Sequence, residues 1–181
     1  MEQSHCMFGI EKMNDLMGKT KLNIGSGKGY DPAYLNVDVS DTFGEGRKFT
    51  PDLFCDMTLL EFPVDSFTEV KAFDCLDHIE YVDCLNLVPR IFKWLKPNGI
   101  LDVHLPNLRT LSGVLSVKDT HHALVWLYGT DGEENFYASN KIRWSYSKEA
   151  MLHILEKTGF QVIHASDDCG GYAFRMMGVK R

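Results

Sequence analysis

Short segments of alternating apolar and polar residues recur along the chain. The alternation is clearest at 21–24, 35–38 and 100–105. Side chains of a strand point alternately to opposite faces of a sheet, so a period of two predicts strands with one apolar and one polar face. Further strands are predicted at 52–56, 69–73, 160–165 and 172–179.

Two segments between these strands have the spacing of helices. In 82–95 the apolar stripe consists of Leu85, Val88, Phe92 and Leu95, and Pro89 predicts a kink or an end there. Ser147 is a typical N-cap and Gly159 a typical C-terminal stop, which predicts a helix through 157. Strands that alternate with helices and end in a hairpin predict an α/β fold. Its central sheet is expected to be mostly parallel, with one antiparallel strand near the C-terminus.

The connections after the first two strands are too short or too polar for ordinary crossover helices. Only residues 30–37 separate Gly29 from Asp38, whereas a parallel crossover takes about a dozen residues or more. Residues 40–51 contain no apolar helical stripe. We therefore expect reduced helices after both the first and the second strand.

Without those helices, the polar face of the predicted sheet needs another cover. Residues 5–18 place Met and Phe side chains at helical spacing and are one candidate. The other candidate is a second copy of the chain in a symmetric homodimer. We expect an N-terminal helical segment at 1–19 and a single domain at 20–181.

Composition narrows the possible classes of protein. The 181 residues suit one domain, and 44% hydrophobic with 24% charged residues excludes global disorder. Nineteen basic against twenty-five acidic residues give a net charge of −6, which argues against broad nucleic-acid binding.

The cysteines and the N-terminus bear on the compartment. The five cysteines are an odd number, widely spaced and without a CxxC pair, which predicts neither a disulfide framework nor a zinc site. No other metal-binding set is predicted. The N-terminal residues lack the pattern of a signal peptide, and no apolar stretch is long enough to span a membrane. A reduced, soluble, cytoplasmic protein without membrane association is expected.

Residues that suit a nucleoside ligand follow four of the predicted strands. Ligands of parallel sheets bind at the carboxyl ends of the strands. Glycines there let the backbone approach a ligand, and acidic side chains can accept from ribose hydroxyls or an adenine amino group. The residues concerned are Gly25, Ser26, Gly27, Asp38, Val39, Asp56, Met57 and Phe73.

The order of these motifs resembles the class I S-adenosylmethionine-dependent methyltransferases. LNIGSG at 22–27 resembles their first motif and LNVD at 35–38 their ribose-binding motif. LDH at 76–78 and LKPNGIL at 95–101 resemble elements beside the fourth and fifth strands. No single motif is specific, but the ordered set covers about residues 20–180.

The resemblance implies a Rossmann-like methyltransferase fold, S-adenosyl-L-methionine as cofactor and a transferase activity. Cofactor contacts are implied at the strand-end residues above, with Asp38 on the ribose and Asp56 on the adenine. Lys28 is expected to face the cofactor's carboxylate in place of the missing helix N-terminus. Asp74 is the first candidate for a general base, because it follows the fourth strand near the expected methyl position, and His104, close to the end of the fifth strand, is the second.

The acceptor is expected to be a small molecule, with sugar-like acceptors included. The aromatic-rich segment 126–146 predicts a lid over it. Two other classes stay open: a non-catalytic, cofactor-binding association module and a nucleotide-binding oxidoreductase. The nicotinamide alternative is weakened because Tyr30 stands where the third glycine of GxGxxG belongs.

Overall fold

The computed structural model describes residues 18–39, 42–43, 47–48, 50–115 and 142–181. The strands are β1 (Lys21–Ile24), β2 (Leu35–Asp38), β3 (Thr42–Phe43), β4 (Arg47–Lys48), β5 (Leu53–Phe54), β6 (Phe67–Phe73), β7 (Leu95–Pro106), β8 (Phe160–Asp168) and β9 (Ala173–Lys180). The helices are α1 (Tyr81–Trp94), α2 (Leu108–Leu115) and α3 (Lys148–Thr158).

Seven strands form one sheet in the order β5-β2-β1-β6-β7-β9-β8. The pairs β1–β2, β1–β6, β2–β5 and β6–β7 are parallel, whereas β9 is antiparallel to both β7 and β8. This confirms the predicted α/β fold with one antiparallel strand near the C-terminus. The carboxyl ends of the parallel strands therefore meet at one edge of the sheet, where ligands of such folds bind.

Helices α1 and α3 contact each other and the sheet. The apolar members of the alternating strands, among them Leu22 and Val103, are buried with Trp94 and Leu155 of these helices in one core. Ser147 caps α3 by accepting from the Ala150 amide, as predicted, and Gly159 ends the helix. Helix α1 continues through Pro89 to Trp94. The proline therefore does not end the helix, which was one of its two expected effects.

The connection between β1 and β2 contains turns and no helix, as its length predicts. Asn23 of β1 and Asn36 of β2 are paired in the strand register, and their side chains hydrogen-bond to the backbone of this connection. The Asn23 side-chain amide donates to the Gly29 carbonyl at 2.9 Å, and the Asn36 amide donates to the Asp31 carbonyl at 2.8 Å. The Asp31 amide donates back to Asn36 Oδ1 at 3.0 Å. These bonds satisfy backbone groups that a helix would otherwise satisfy internally.

This network changes the interpretation of the polar strand positions. Asn23 is 3% exposed and Asn36 is fully buried. The chain's own connection covers this part of the polar face, so neither residues 1–18 nor a second subunit is needed there. Residues 1–17 lie outside the described part, and the homodimer stays a prediction. Residues 42–43 and 47–48 of the second connection form a two-stranded antiparallel pair of β3 and β4.

Two sequence expectations concern the cysteines and the membrane. Cys75, Cys84 and Cys169 are free, but Cys55 is disulfide-bonded. The expectation of a fully reduced chain therefore fails at Cys55. Among the described residues, no helix has the length and apolar character needed to cross a membrane.

Acid is expected to destabilise the fold through Asp52, which joins the amide network. Burial raises the pKa of its carboxyl, but bonds from Asn36, Lys19 and Tyr30 outweigh burial and leave the pKa below its usual value. A lowered folded-state pKa stabilises the fold fully above the unfolded value of about 3.9, and this contribution is lost as the pH falls through the folded value. Asp52→Asn should therefore show a smaller loss of stability between neutral and acidic pH than the wild type.

The measurement is the urea midpoint of unfolding over a series of pH values. Glu61→Gln is the control, because Glu61 contacts Arg90 outside this network. An unchanged acid dependence in Asp52→Asn would contradict the assignment.

Candidate active site

A cavity of about 530 Å³ opens at the carboxyl ends of β1, β2 and β6. Its lining includes Gly25, Ser26, Gly27, Lys28, Asp38, Val39, Met57, Phe73, Asp74, Cys75 and His78. A second cavity of about 390 Å³ is also lined by Val39, Met57 and His78, and Asp56 belongs to it. The structure thus brings all the predicted cofactor-binding residues into two adjoining cavities.

Gly25 shapes the floor of the larger cavity. Its φ of +61° lies in the left-handed region, and a Cβ built at this position would lie 2.3 Å from Cys75 Cβ. Both the conformation and the space therefore require glycine. Cys75 is buried, its thiol contacts the Ile24 carbonyl at 3.3 Å, and burial raises its pKa, so it serves as a packing residue.

Asp38 and Asp56 are fixed by short local hydrogen bonds. Asp38 Oδ2 accepts from the Gly27 amide at 2.8 Å, which ties the end of β2 to the glycine turn after β1. Asp56 caps the short 3-10 helix Met57–Leu59, and its Oδ1 accepts from the amide and the hydroxyl of Thr58, each at 2.8 Å. The apolar Val39 and Met57 line both cavities. Carboxylate acceptors beside apolar side chains suit a nucleoside.

Asp74 and His104, predicted as alternative bases, contact each other. His104 Nδ1 lies 2.7 Å from Asp74 Oδ1, and the Asp74 amide donates to the His104 carbonyl at 2.9 Å. Asp74 has a φ of +48°, which lies in the left-handed region and is strained for a residue with a side chain. Strained residues of this kind are common at functional sites, and Asp74 lines the larger cavity. His104 has only 16% of its side chain exposed. A histidine held by a carboxylate through one nitrogen can exchange a proton at the other.

Asp168 is a site residue that the sequence analysis missed. Its Oδ2 lies 3.4 Å from His104 Nε2. The antiparallel register pairs Pro106 of β7 with Ala173 of β9, so the turn that joins β8 to β9 comes beside His104. The sequence predicted the hairpin that contains Asp168. Only the register of β9 against β7, however, places the turn of that hairpin beside His104.

Asp77 and His78 lie in the 3-10 turn Leu76–His78 after β6. His78 lines both cavities, whereas Asp77 has a structural role. Asp77 is 3% exposed, and burial raises the pKa of its carboxyl. The Asp77 carbonyl accepts from the amides of Arg143 and Trp144 at 2.7 and 3.2 Å. This anchors the described end of the predicted lid 126–146 beside the smaller cavity, which Arg143 also lines. Residues 126–141 of that segment lie outside the described part.

Known proteins that are similar to this chain in sequence are methyltransferases. A family model described as a methyltransferase domain matches residues 10–165. A curated relative, the ubiquinone biosynthesis O-methyltransferase of Bradyrhizobium diazoefficiens, is 25% identical over 165 residues. That alignment covers 83% of this chain and 64% of the relative, so the chain spans slightly less than two thirds of the relative's length.

Solved structures share the fold at low sequence identity. An S-adenosylmethionine-dependent methyltransferase from Mesorhizobium loti aligns with a TM-score of 0.56 and 13% identity, over 91% of this chain and 92% of that one. The Burkholderia thailandensis 1,6-didemethyltoxoflavin-N1-methyltransferase, solved with S-adenosylhomocysteine, aligns with a TM-score of 0.57 and 14% identity. That match covers 94% of this chain and 77% of the other. These likenesses confirm the Rossmann-like fold.

Proposed function

Because this chain belongs to the methyltransferase-domain family and uses S-adenosylmethionine, we propose that it methylates a hydroxyl group of a small, sugar-like acceptor beside Asp74 and His104. The observation that carries the proposal is the 2.7 Å contact of His104 Nδ1 with Asp74, which lines the larger cavity. Family membership confirms the resemblance seen in the sequence and supports methyl transfer over the oxidoreductase and non-catalytic alternatives.

The lining of the two cavities fits the chemical groups of the cofactor. The glycine turn offers backbone to a ligand, Asp38 and Asp56 offer carboxylate acceptors, and Val39 and Met57 offer apolar surface. In this proposal Asp38 holds the ribose, Asp56 the adenine amino group and Lys28 the carboxylate. Phe73 and Ser26 complete the wall. When bound, the cofactor supplies an electrophilic methyl group on a sulfonium.

The Asp74–His104 pair supplies a proton acceptor for the reaction. With the proton on Nδ1, His104 donates to Asp74 and presents a lone pair at Nε2. An acceptor hydroxyl that reaches Nε2 beside Asp168 would lose its proton there. Its oxygen would then be the nucleophile for the methyl group that a bound cofactor would release from its sulfur. Asp74 stabilises the imidazolium that forms, and the low exposure of His104 limits its contact with water.

The acceptor class is inferred from size and charge. Cavities of about 530 and 390 Å³ suit the cofactor with a small partner. The net charge of −6 does not favour a polyanionic acceptor. The curated relative is named for O-methylation, which supports a hydroxyl as the accepting group. A cytoplasmic location stays a prediction.

The experiment is methyl transfer from radiolabelled S-adenosylmethionine by the full chain. The arms are a panel of sugars and other small hydroxyl compounds, a mixed protein substrate and bulk tRNA. We expect label in at least one small acceptor and S-adenosylhomocysteine in equal amount. Label found only in protein or tRNA would overturn the proposed acceptor class.

A further inference from the structure

The second nitrogen of His104 faces a carboxylate. Asp168 Oδ2 lies 3.4 Å from Nε2, while Asp74 holds Nδ1 on the opposite side of the ring. A nitrogen and an oxygen that can both serve as metal ligands therefore lie across one short gap.

A thiol completes a set of three ligands. One ligand atom each from His104, Asp168 and Cys169 can be chosen so that all lie within 4.8 Å of one another. In a tetrahedral site with metal–ligand bonds of about 2.0–2.3 Å, ligand atoms lie about 3.3–3.8 Å apart. The His104–Asp168 distance of 3.4 Å already fits, and the thiol needs to approach by at most about 1.5 Å.

The surrounding bonds orient the set. Asp168 Oδ1 accepts from the Cys169 amide at 2.7 Å, which leaves Oδ2 on the side of His104. Arg175 forms two hydrogen bonds with Asp102, at 2.9 and 2.6 Å, and interacts with Asp168 only through the attraction of their charges. Asp74 on Nδ1 supplies the carboxylate that commonly supports a metal-bound histidine.

We propose that His104 Nε2, Asp168 and Cys169 bind a divalent transition metal ion such as Zn²⁺, with the fourth position open. Mixed nitrogen, oxygen and sulfur ligands suit Zn²⁺ or Co²⁺ and disfavour Mg²⁺. The bound ion takes the lone pair that removes the acceptor's proton, so it inhibits methyl transfer. This second part rests on the proposed function, whereas the binding of the ion does not.

Binding is tested with Co²⁺ as a spectroscopic probe on the full-length protein. We expect one equivalent of Co²⁺ to produce the visible bands of a four-coordinate site and a thiolate-to-metal charge-transfer band. Cys169→Ser should abolish the charge-transfer band, and Asp168→Asn should weaken Zn²⁺ binding by at least about tenfold, as calorimetry would show. Asp167→Asn is the matched control, because this neighbouring carboxylate pairs with Lys148.

The far-UV spectrum and S-adenosylhomocysteine affinity of each variant show whether it folds. A charge-transfer band that persists in Cys169→Ser, or the absence of any band in the wild type, overturns the metal site. Both results are independent of turnover, so they are distinguishable from a failure of the proposed function.

Inhibition is tested with Zn²⁺ on whichever acceptor is active. Zn²⁺ should reduce turnover of the wild type, while Cys169→Ser keeps its basal turnover and resists the ion. Zn²⁺ that binds and raises turnover would overturn the inhibitory role.

Discussion

His104→Gln is expected to lower kcat for methyl transfer by about 10²–10⁴-fold, the usual contribution of a general base. The affinity for S-adenosylhomocysteine should stay within about twofold, because an interaction made only in the transition state is removed. Glutamine retains a polar side chain of similar reach but offers no basic nitrogen. The readouts are steady-state turnover and calorimetric titration with S-adenosylhomocysteine.

Asp74→Asn tests the other half of the pair. An amide in place of the carboxylate can donate to His104 Nδ1 and so favours the tautomer with its proton on Nε2, which removes the base. We expect a loss similar to that of His104→Gln, with little further loss when the two changes are combined. His164→Gln is the control, because this exposed histidine contacts Ser166 on β8. Additive losses would show that the two residues act separately.

Asp38→Ala is expected to weaken S-adenosylhomocysteine binding by about 1.5–3 kcal/mol, or roughly ten- to a hundredfold. In the proposed cofactor site the change would remove the charge-assisted bonds to the ribose, and it also removes the acceptor of the Gly27 amide. Asp38→Asn separates the two effects, since its side-chain carbonyl can still accept from Gly27. Affinity intermediate between Asp38→Ala and the wild type is expected for it.

Calorimetric titration measures both variants, and thermal unfolding shows whether the turn is intact. Glu61→Ala, which removes an exposed carboxylate outside the cavities, should bind like the wild type. Wild-type affinity in Asp38→Ala would contradict the ribose assignment.

The parts of the fold that sequence predicted depend on local and periodic signals. Alternation located β1 and β2, and the cap and stop at Ser147 and Gly159 located α3. The boundary of β7 was wrong: the strand begins at Leu95, five positions before the predicted Ile100, because Phe67 of β6 pairs with Leu95 before the register shifts. Such pairing depends on a distant strand and leaves no local pattern.

The site residues also divide into those that local sequence motifs locate and those that only tertiary packing brings together. Gly25 and Asp38 belong to local motifs at strand ends, so sequence was sufficient to place them at the cavity. The contact of Asp74 with His104 and the approach of Asp168 depend on the packing of three strand ends. The roles of Asn23 and Asn36 depend on strand register as well, and alternation alone showed them only as polar positions.

The pair Asn23 and Asn36 limits how this scaffold can be re-engineered. A designer who inserts an ordinary amphipathic helix between β1 and β2 would lay apolar side chains over two buried amides that now bind Gly29, Asp31 and Tyr34. Each buried amide left without a hydrogen-bond partner would lower the stability of the fold by about 1–3 kcal/mol. A longer crossover is therefore compatible with this sheet only if both asparagines become apolar in the same step, and intermediates that change one feature alone lose stability.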